Sequence, residues 1–202
     1  VFTSGTTFSA AENQTSIGTV VASDADGEVL SYSVSGTDAS SMSINSSSGV
    51  LVFNLAPDYE TKSSYTATVT ATDGTNSTTQ NITVSVTDAN DNAPVFTSST
   101  TFSAAENQTV IGTVTATDGD VSDTVTFTVS GSELAITSAG VLTFPAAPDY
   151  ETKSLYTATV TASDGTNSTT QNITVNVTNL NDNSPVFTSG TTFSAAENQT
   201  SI

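Results

Sequence analysis
Cysteine, histidine and tryptophan are all missing from these 202 residues, and lysine and arginine together number 2. Without cysteine there are no disulfide staples, and the redox compartment is left open. Without cysteine or histidine there is also nothing to favour zinc or copper. The two cations, Lys62 and Lys153, cannot neutralise a run of phosphates, which excludes nucleic acid as a partner. An anionic membrane surface is disfavoured on the same ground. No apolar run approaches the ~18 residues of a membrane span, so direct membrane insertion is not expected. No basic-then-apolar opening marks a signal peptide, and the sequence reads as an excised fragment.

What the chain does have is acid and hydroxyl. Its 20 Asp and Glu residues set a formal net charge of -18, and Ser and Thr are abundant. Such a composition would suit a disordered chain, but 35% of the residues are hydrophobic and they fall with the period of a strand. Tyr65, Ala67, Val69 and Ala71 alternate with Thr66, Thr68 and Thr70. Ile82, Val84 and Val86 alternate with Thr83 and Ser85. Leu30, Tyr32 and Val34 follow the same rule, as do Val125, Phe127 and Val129. "SSSG" (46–49) and "DGTN" (73–76) punctuate these runs as turns. The outward Thr rows are read as β-branched residues on an exposed strand face, with a glycan-binding or ice-binding face as the sharper alternative. Sequons such as those at Asn76 and Asn172 are what Ser/Thr-rich strands produce by chance.

The sequence repeats itself. "FSAAENQT" begins at Phe8, Phe102 and Phe193, so that Glu12, Glu106 and Glu197 lie 94 and then 91 residues apart. "PDYETKS" occurs at Pro57 and Pro148, and residues 186–202 are identical to residues 1–17. A unit of this length is a small autonomous domain rather than a solenoid repeat. The expected organisation is one bead over 1–94, a second over 95–185, and the first part of a third over 186–202. Each complete bead is expected to be all-β, a Greek-key sandwich of about seven strands of the immunoglobulin-like kind, joined end to end.

Sixteen of the 20 acids sit in a few short motifs. In the first bead they are Glu12 in "AEN", Asp24 and Asp26 in "SDAD", Asp58 and Glu60 in "PDYE", Asp73 in "ATDG", and Asp88 and Asp91 in "DANDN". The second bead repeats them as Glu106, Asp118, Asp120, Asp149, Glu151, Asp164 and Asp182, with Asn179 where Asp88 stands in the first, and Glu197 opens the third. Glu28, Asp38, Asp123 and Glu133 fall outside these motifs. Acids placed merely for solubility would not be confined in this way.

Together the motifs resemble those of the cadherin repeat: "AEN", "DAD" or "DGD", "DYE", "ATDG" or "ASDG", and "DANDNAPVF", in that order and over the whole chain. The resemblance implies three calcium ions at each junction between beads. At the first junction it implies Glu12, Asp58, Glu60, Asp88, Asn90 and Asp91 with main-chain oxygens of Ala89 and Asn92 from the upper bead, and Asp118, Asp120 and Asp164 from the lower. At the second it implies Glu106, Asp149, Glu151, Asn179, Asn181, Asp182 and Asn183. At the start of the first bead it implies Asp24, Asp26 and Asp73. Calcium is a hard cation that takes six to eight oxygen ligands, and the motifs offer only oxygen. Two unit charges 4 Å apart repel by about 4 kcal/mol at an effective dielectric of ~20, so acids converging on one junction require a metal. Pro94 and Pro185 hold the linker exit extended.

Three departures qualify the resemblance. The loop after "DAD" or "DGD" lacks the Asn that usually donates a carbonyl there, which leaves one coordination position unassigned. The repeats are short, a feature of bacterial cadherin-like proteins. No Trp exists to serve as a strand-swapped adhesive anchor. Catalysis is not expected: a pair such as Asp58 and Glu60 could do acid/base work, but it recurs in both beads beside many other acids. The expected role is a calcium-stiffened spacer in a secreted or cell-surface adhesin or filament. Its partners would be calcium ions, neighbouring repeats, and other arrays by lateral or end-to-end association. The alternative is a module whose beads themselves bind carbohydrate or protein.

Overall fold
The computed structural model describes residues 1–121 and 123–201. The first bead contains β1 (Thr7–Ala11), β2 (Ser16–Thr19), β3 (Ser31–Ser35), β4 (Met42–Ile44), β5 (Val50–Phe53), β6 (Ser64–Thr72) and β7 (Ser77–Thr87), with a single 3-10 turn at Ala39–Ser41. They form two sheets, ordered β1-β7-β6-β3 and β2-β5-β4. β1 runs parallel to β7, with Thr7 opposite Thr83, and the other pairings are antiparallel. The second bead contains β8 (Val95–Phe96), β9 (Thr101–Ala105), β10 (Val110–Thr113), β11 (Ala116–Thr117), β12 (Thr126–Val129), β13 (Ala135–Ile136), β14 (Val141–Thr143), β15 (Leu155–Ser163) and β16 (Ser168–Thr178). Its sheets run β12-β15-β16-β9 and β10-β14-β13, and β8 and β11 add a two-stranded ladder. In the first bead that ladder shrinks to one bridge, Phe2 to Ala22, so seven strands in one bead and nine in the other are the same architecture.

The period-two pattern builds these layers directly. Ala67, Val69 and Ala71 of β6 and Ile82, Val84 and Val86 of β7 face inward and are buried, while the intervening Thr and Ser residues look outward. Leu51, Val20, Met42 and Phe53 close the first core from the opposite sheet, as Leu142, Val114, Leu134 and Phe144 close the second. Phe53 meets Tyr65 edge-on at 4.9 Å, and Phe144 meets Tyr156 at 5.0 Å. No disulfide is needed, because each sandwich buries its own apolar face.

The two lysines are used inside the beads. Lys62 pairs with Asp38 and lies over the Tyr65 ring, 4.6 Å from its centroid. Lys153 pairs with Glu133 and lies over Tyr156 at the same distance. Thus Asp38 and Glu133, two of the acids left outside the motifs, are the lysine partners. Among the described residues from 179 onward no strand forms, and Phe187 is exposed although its twin Phe2 packs against the first core.

Two predictions follow from the bead interiors. Gly49 (φ +71°) and Gly140 (φ +87°) turn with positive φ, and a Cβ on them would lie 2.1 Å from the Val20 carbonyl oxygen and 2.2 Å from that of Val114. Gly49→Ala should destabilise the first bead by at least about 1–3 kcal/mol and spare the second, as read by denaturant unfolding with probes in each bead. The second prediction concerns pH. Asp38 is held below its ordinary 3.8, first by the hydrogen bond from Lys62 and then by the Thr66 N–H. A depressed carboxylate pKa adds stability that is present above pH 3.8 and lost as pH falls through the folded-state value. Unfolding of the first bead should therefore show an acid-side loss that Asp38→Asn makes smaller; identical pH profiles would mean that Asp38 does not pair with Lys62 in solution.

Candidate metal centre
β1 ends at Ala11 and delivers Glu12 to the far end of the first bead, where it is only 3% exposed. Its Oε2 accepts the Tyr59 N–H at 2.7 Å and its Oε1 the Ala89 N–H at 2.7 Å. One buried carboxylate thus ties the "PDYE" loop to the linker. Glu106 does the same in the second bead, accepting from Tyr150 at 2.8 Å and Leu180 at 2.7 Å. Glu12, Asn13, Asp58, Glu60, Asp91 and Asn92 line a concavity of about 270 Å³ at this end of the bead.

From the other side, the start of the second bead grips the linker. Asp120, 3% exposed, accepts the Asn92 main-chain N–H at 3.0 Å and its side-chain amide at 2.9 Å. Asn167 donates to Asn90 Oδ1 at 3.0 Å and to the Asn92 carbonyl at 3.2 Å, and the Thr169 hydroxyl donates to the Pro94 carbonyl at 2.5 Å. Asp88 Oδ2 accepts the Val121 N–H at 3.2 Å. The linker is therefore a strip fastened along both edges.

This fastening brings carboxylates together. Ligand atoms of Glu12, Glu60 and Asp88 lie within 4.8 Å of one another, as do those of Glu60, Asp91 and Asp120, and those of Asp118, Asp120 and Asp164. The three groups share Glu60 and Asp120, so they form one chain of acids crossing from bead to bead. Burial, and then the charges of Glu12 and Asp120, push the Glu60 carboxyl up. Burial works the same way on Asp164, but N–H donors from Asn167 and Thr166 outweigh it and leave that group lowered. The decisive feature is what remains unpartnered. Asp88 Oδ1, Asp118 Oδ2 and Asp164 Oδ2 are buried and accept no hydrogen bond. A buried anionic oxygen without a donor is strongly unfavourable, and both lysines are engaged with other acids. A cation bound by oxygen ligands fits this set.

Not every expected residue enters a cluster. Asp58 is turned toward Thr61, accepting its N–H at 3.1 Å and its hydroxyl at 2.9 Å, and these bonds lower its pKa. It stays on the rim of the concavity, outside the three-acid groups at this junction. Its counterpart Asp149 does join Glu106 and Glu151. At that second site Asn179 donates to Glu151 Oε1 at 3.1 Å, Asp182 is held by Asn107 and Asn183, and Asn181 is exposed. At the start of the first bead Asp24 and Asp26 group with Glu28 instead of with Asp73. Asp73 takes N–H bonds from Thr75 and Asn76, which lower its pKa, and lines the same concavity as Asp24.

Several residues at the junction were not foreseen from the motifs. Asn13, Asn107 and Asn167 bind the linker by their side chains. Asp123 is pushed up by burial and then by the charges of Asp120, Asp164, Asp88 and Asp118. Asp123 and Glu28 are the two acids remaining outside the motifs once the lysine partners are set aside, and both belong to the loops after "DGD" and "DAD". The signal for them was the missing Asn carbonyl in those loops.

The profile of the cadherin domain matches residues 6–87. Residues 6–87 belong to the cadherin domain family. Protocadherin Fat 4 of Homo sapiens is 34% identical over 186 residues, which covers 85% of this chain and 4% of that protein. Cadherin-related family member 2 of Mus musculus is 38% identical over 91 residues, covering 45% of this chain and 7% of that one. The chain therefore spans a small fraction of these relatives. Among solved structures, mouse Cadherin-23 EC22-24 superposes with a TM-score of 0.74 at 25% identity, covering 87% of this chain and 64% of that one. Human Protocadherin-24 EC1-2 superposes with a TM-score of 0.75 at 23% identity, covering 87% and 94%. These relatives are animal proteins, and they lend no support to the bacterial type read from repeat length. Cadherin repeats are non-enzymatic adhesion and structural domains of extracellular proteins, and acidic clusters between repeats are typical of their calcium sites.

The geometry makes a test of the repulsion. Asp118 lies among Asp120 and Asp164 with one oxygen unpartnered, so Asp118→Asn removes a like charge while keeping the side chain's shape. In excess chelator this variant should gain on the order of 1–3 kcal/mol over the unaltered chain. An unchanged chelator melt would mean that these carboxylates stand apart in water.

Proposed function
We propose that this chain is a stretch of an extracellular array of cadherin repeats whose junctions bind calcium, so that the array serves as a stiff spacer in an adhesin or filament. The observation that carries this reading is the row of three acid groups at the first junction, with buried oxygens on Asp88, Asp118 and Asp164 that lack any donor. Glu12, Glu60, Asp88, Asp91, Asp118, Asp120 and Asp164 would hold the ions, with Asn90 and main-chain oxygens of Ala89 and Asn92 completing the oxygen shell. Bound calcium would supply positive charge at the one place where the two beads share acids. The bead boundaries that go with this reading are 1–94, 95–185 and 186–202. Association of such arrays side by side or end to end follows from the same reading, as does secretion or display at the cell surface.

The alternative of a carbohydrate-binding face draws no support from the bead surfaces. Phe8, Tyr32, Tyr59 and Tyr65 pack against the first core, and Phe96, Phe102 and Tyr156 against the second. The outward strand faces are lined with Ser and Thr instead of rings.

Calcium that binds only the folded junction stabilises it by about 2.7 kcal/mol per site at a hundredfold excess over Kd. The expected result is a melting temperature that climbs with added calcium and falls in chelator, with solution scattering reporting a longer, stiffer particle when calcium is present. A melt and a scattering profile both indifferent to calcium would dispose of this function.

A further inference from the structure
We propose that Asn13 and Asn107 are positioning residues that fix the linker carboxylates of Asp91 and Asp182 in their binding orientation before any metal arrives; the metal-binding part of this rests on the calcium reading above. Each follows the buried glutamate of an "AEN" motif, and each adopts a left-handed conformation, φ 59° at Asn13 and 64° at Asn107. Asparagine is one of the few residues that tolerate that region. The turn is anchored by the main chain, since Asn13 N–H donates to the Pro57 carbonyl and Asn107 N–H to that of Pro148, both at 3.0 Å. Anchored in this way, the exposed side chain reaches across to the linker. Asn13 Nδ2 donates to Asp91 Oδ2, and Asn107 Nδ2 to Asp182 Oδ2 at 2.6 Å.

The second oxygen of each carboxylate is also held. Asn92 Nδ2 donates to Asp91 Oδ1 at 3.0 Å, and Asn183 Nδ2 to Asp182 Oδ1 at 2.8 Å. Two neutral amides thus grip one carboxylate from both sides. Each oxygen keeps a further lone pair, so the grip leaves room for a cation. A lysine in the same place would compete with the metal for that charge, and an aspartate would repel it.

The second junction separates cause from consequence. Residues 183–201 are exposed and carry no strand, so the described residues supply no lower bead there. The Asn107 brace on Asp182 is formed all the same. It is a property of the upper bead alone, and the linker acid is set before the next bead contributes anything.

The test uses the 202-residue chain with Asn13→Gly, which keeps access to the left-handed turn and removes the amide. Calorimetric titration with calcium should show first-junction sites weakened roughly tenfold, the effect of one lost hydrogen bond to a charged acceptor. The melt in chelator should stay close to that of the unaltered chain, which separates positioning from folding. Asn13→Asp, which also tolerates the turn, should weaken binding at least as much. In chelator, the Asn13 side-chain amide resonances should shift when Asp91 is replaced by Ala. Unaltered calcium affinity in Asn13→Gly overturns the proposal, as do amide resonances indifferent to Asp91→Ala, and as does loss of first-bead folding in Asn13→Gly. An unaltered chain that takes up no calcium, yet whose Asn13 amide senses Asp91, sinks the calcium reading and leaves the brace standing.

Discussion

Like-charge repulsion at the junction is the constraint around which this molecule is arranged. A chain of net charge -18 with two cations can dilute its acids over its surface or gather them where something else will neutralise them. It gathers them. The lysines are engaged within the beads, against Asp38 and Glu133 and over tyrosine rings, and not with the linker acids. Neutral donors do the local work instead: main-chain N–H groups on Glu12 and Glu106, and asparagine amides on the linker. Such donors orient a carboxylate without cancelling its charge, which leaves that charge open to a cation.

The sandwich itself follows from simpler forces. Two opposed sheets with alternating Val, Ile, Ala and aromatic residues bury enough apolar surface to fold without disulfides. The outward rows of Thr and Ser carry no charge along β6 and β7, so bead sides and bead ends have different chemistry. Folding is thereby assigned to the middle of each bead and the grouped acids to its ends.

How much could be read in advance depended on whether a feature was periodic or tertiary. The strands of Tyr65 to Thr72 and Ile82 to Thr87 were legible because period two is a local pattern. The parallel partnership of β1 with β7 was not, since "TTFSAA" says nothing of which strand it will meet more than 70 residues on. The acids of the motifs were legible by recurrence, and most of them do meet. Asp58 shows the limit: the same "PDYE" letters put Asp149 in a cluster and leave Asp58 on the rim, although each carboxylate accepts the hydroxyl of the threonine three residues on, so the local sequence does not separate the two outcomes. Asn167 was passed over because "DGTN" reads as an ordinary turn, and only the approach of the preceding bead gives its amide something to hold.

The self-sufficiency of the upper half-site gives the array a direction. The C-terminal end of the second bead presents a finished cradle, with its glutamate, loop and linker strip already bonded to one another. The N-terminal end of the second bead presents the aspartates of its two loops, with Asn167 and Thr169 to hold the strip. In an array of the kind proposed, each cradle would be complete before the bead that docks into it had left the ribosome, and junctions would close one at a time and in order. Cutting the array anywhere would leave two unlike ends, one a socket and one a plug.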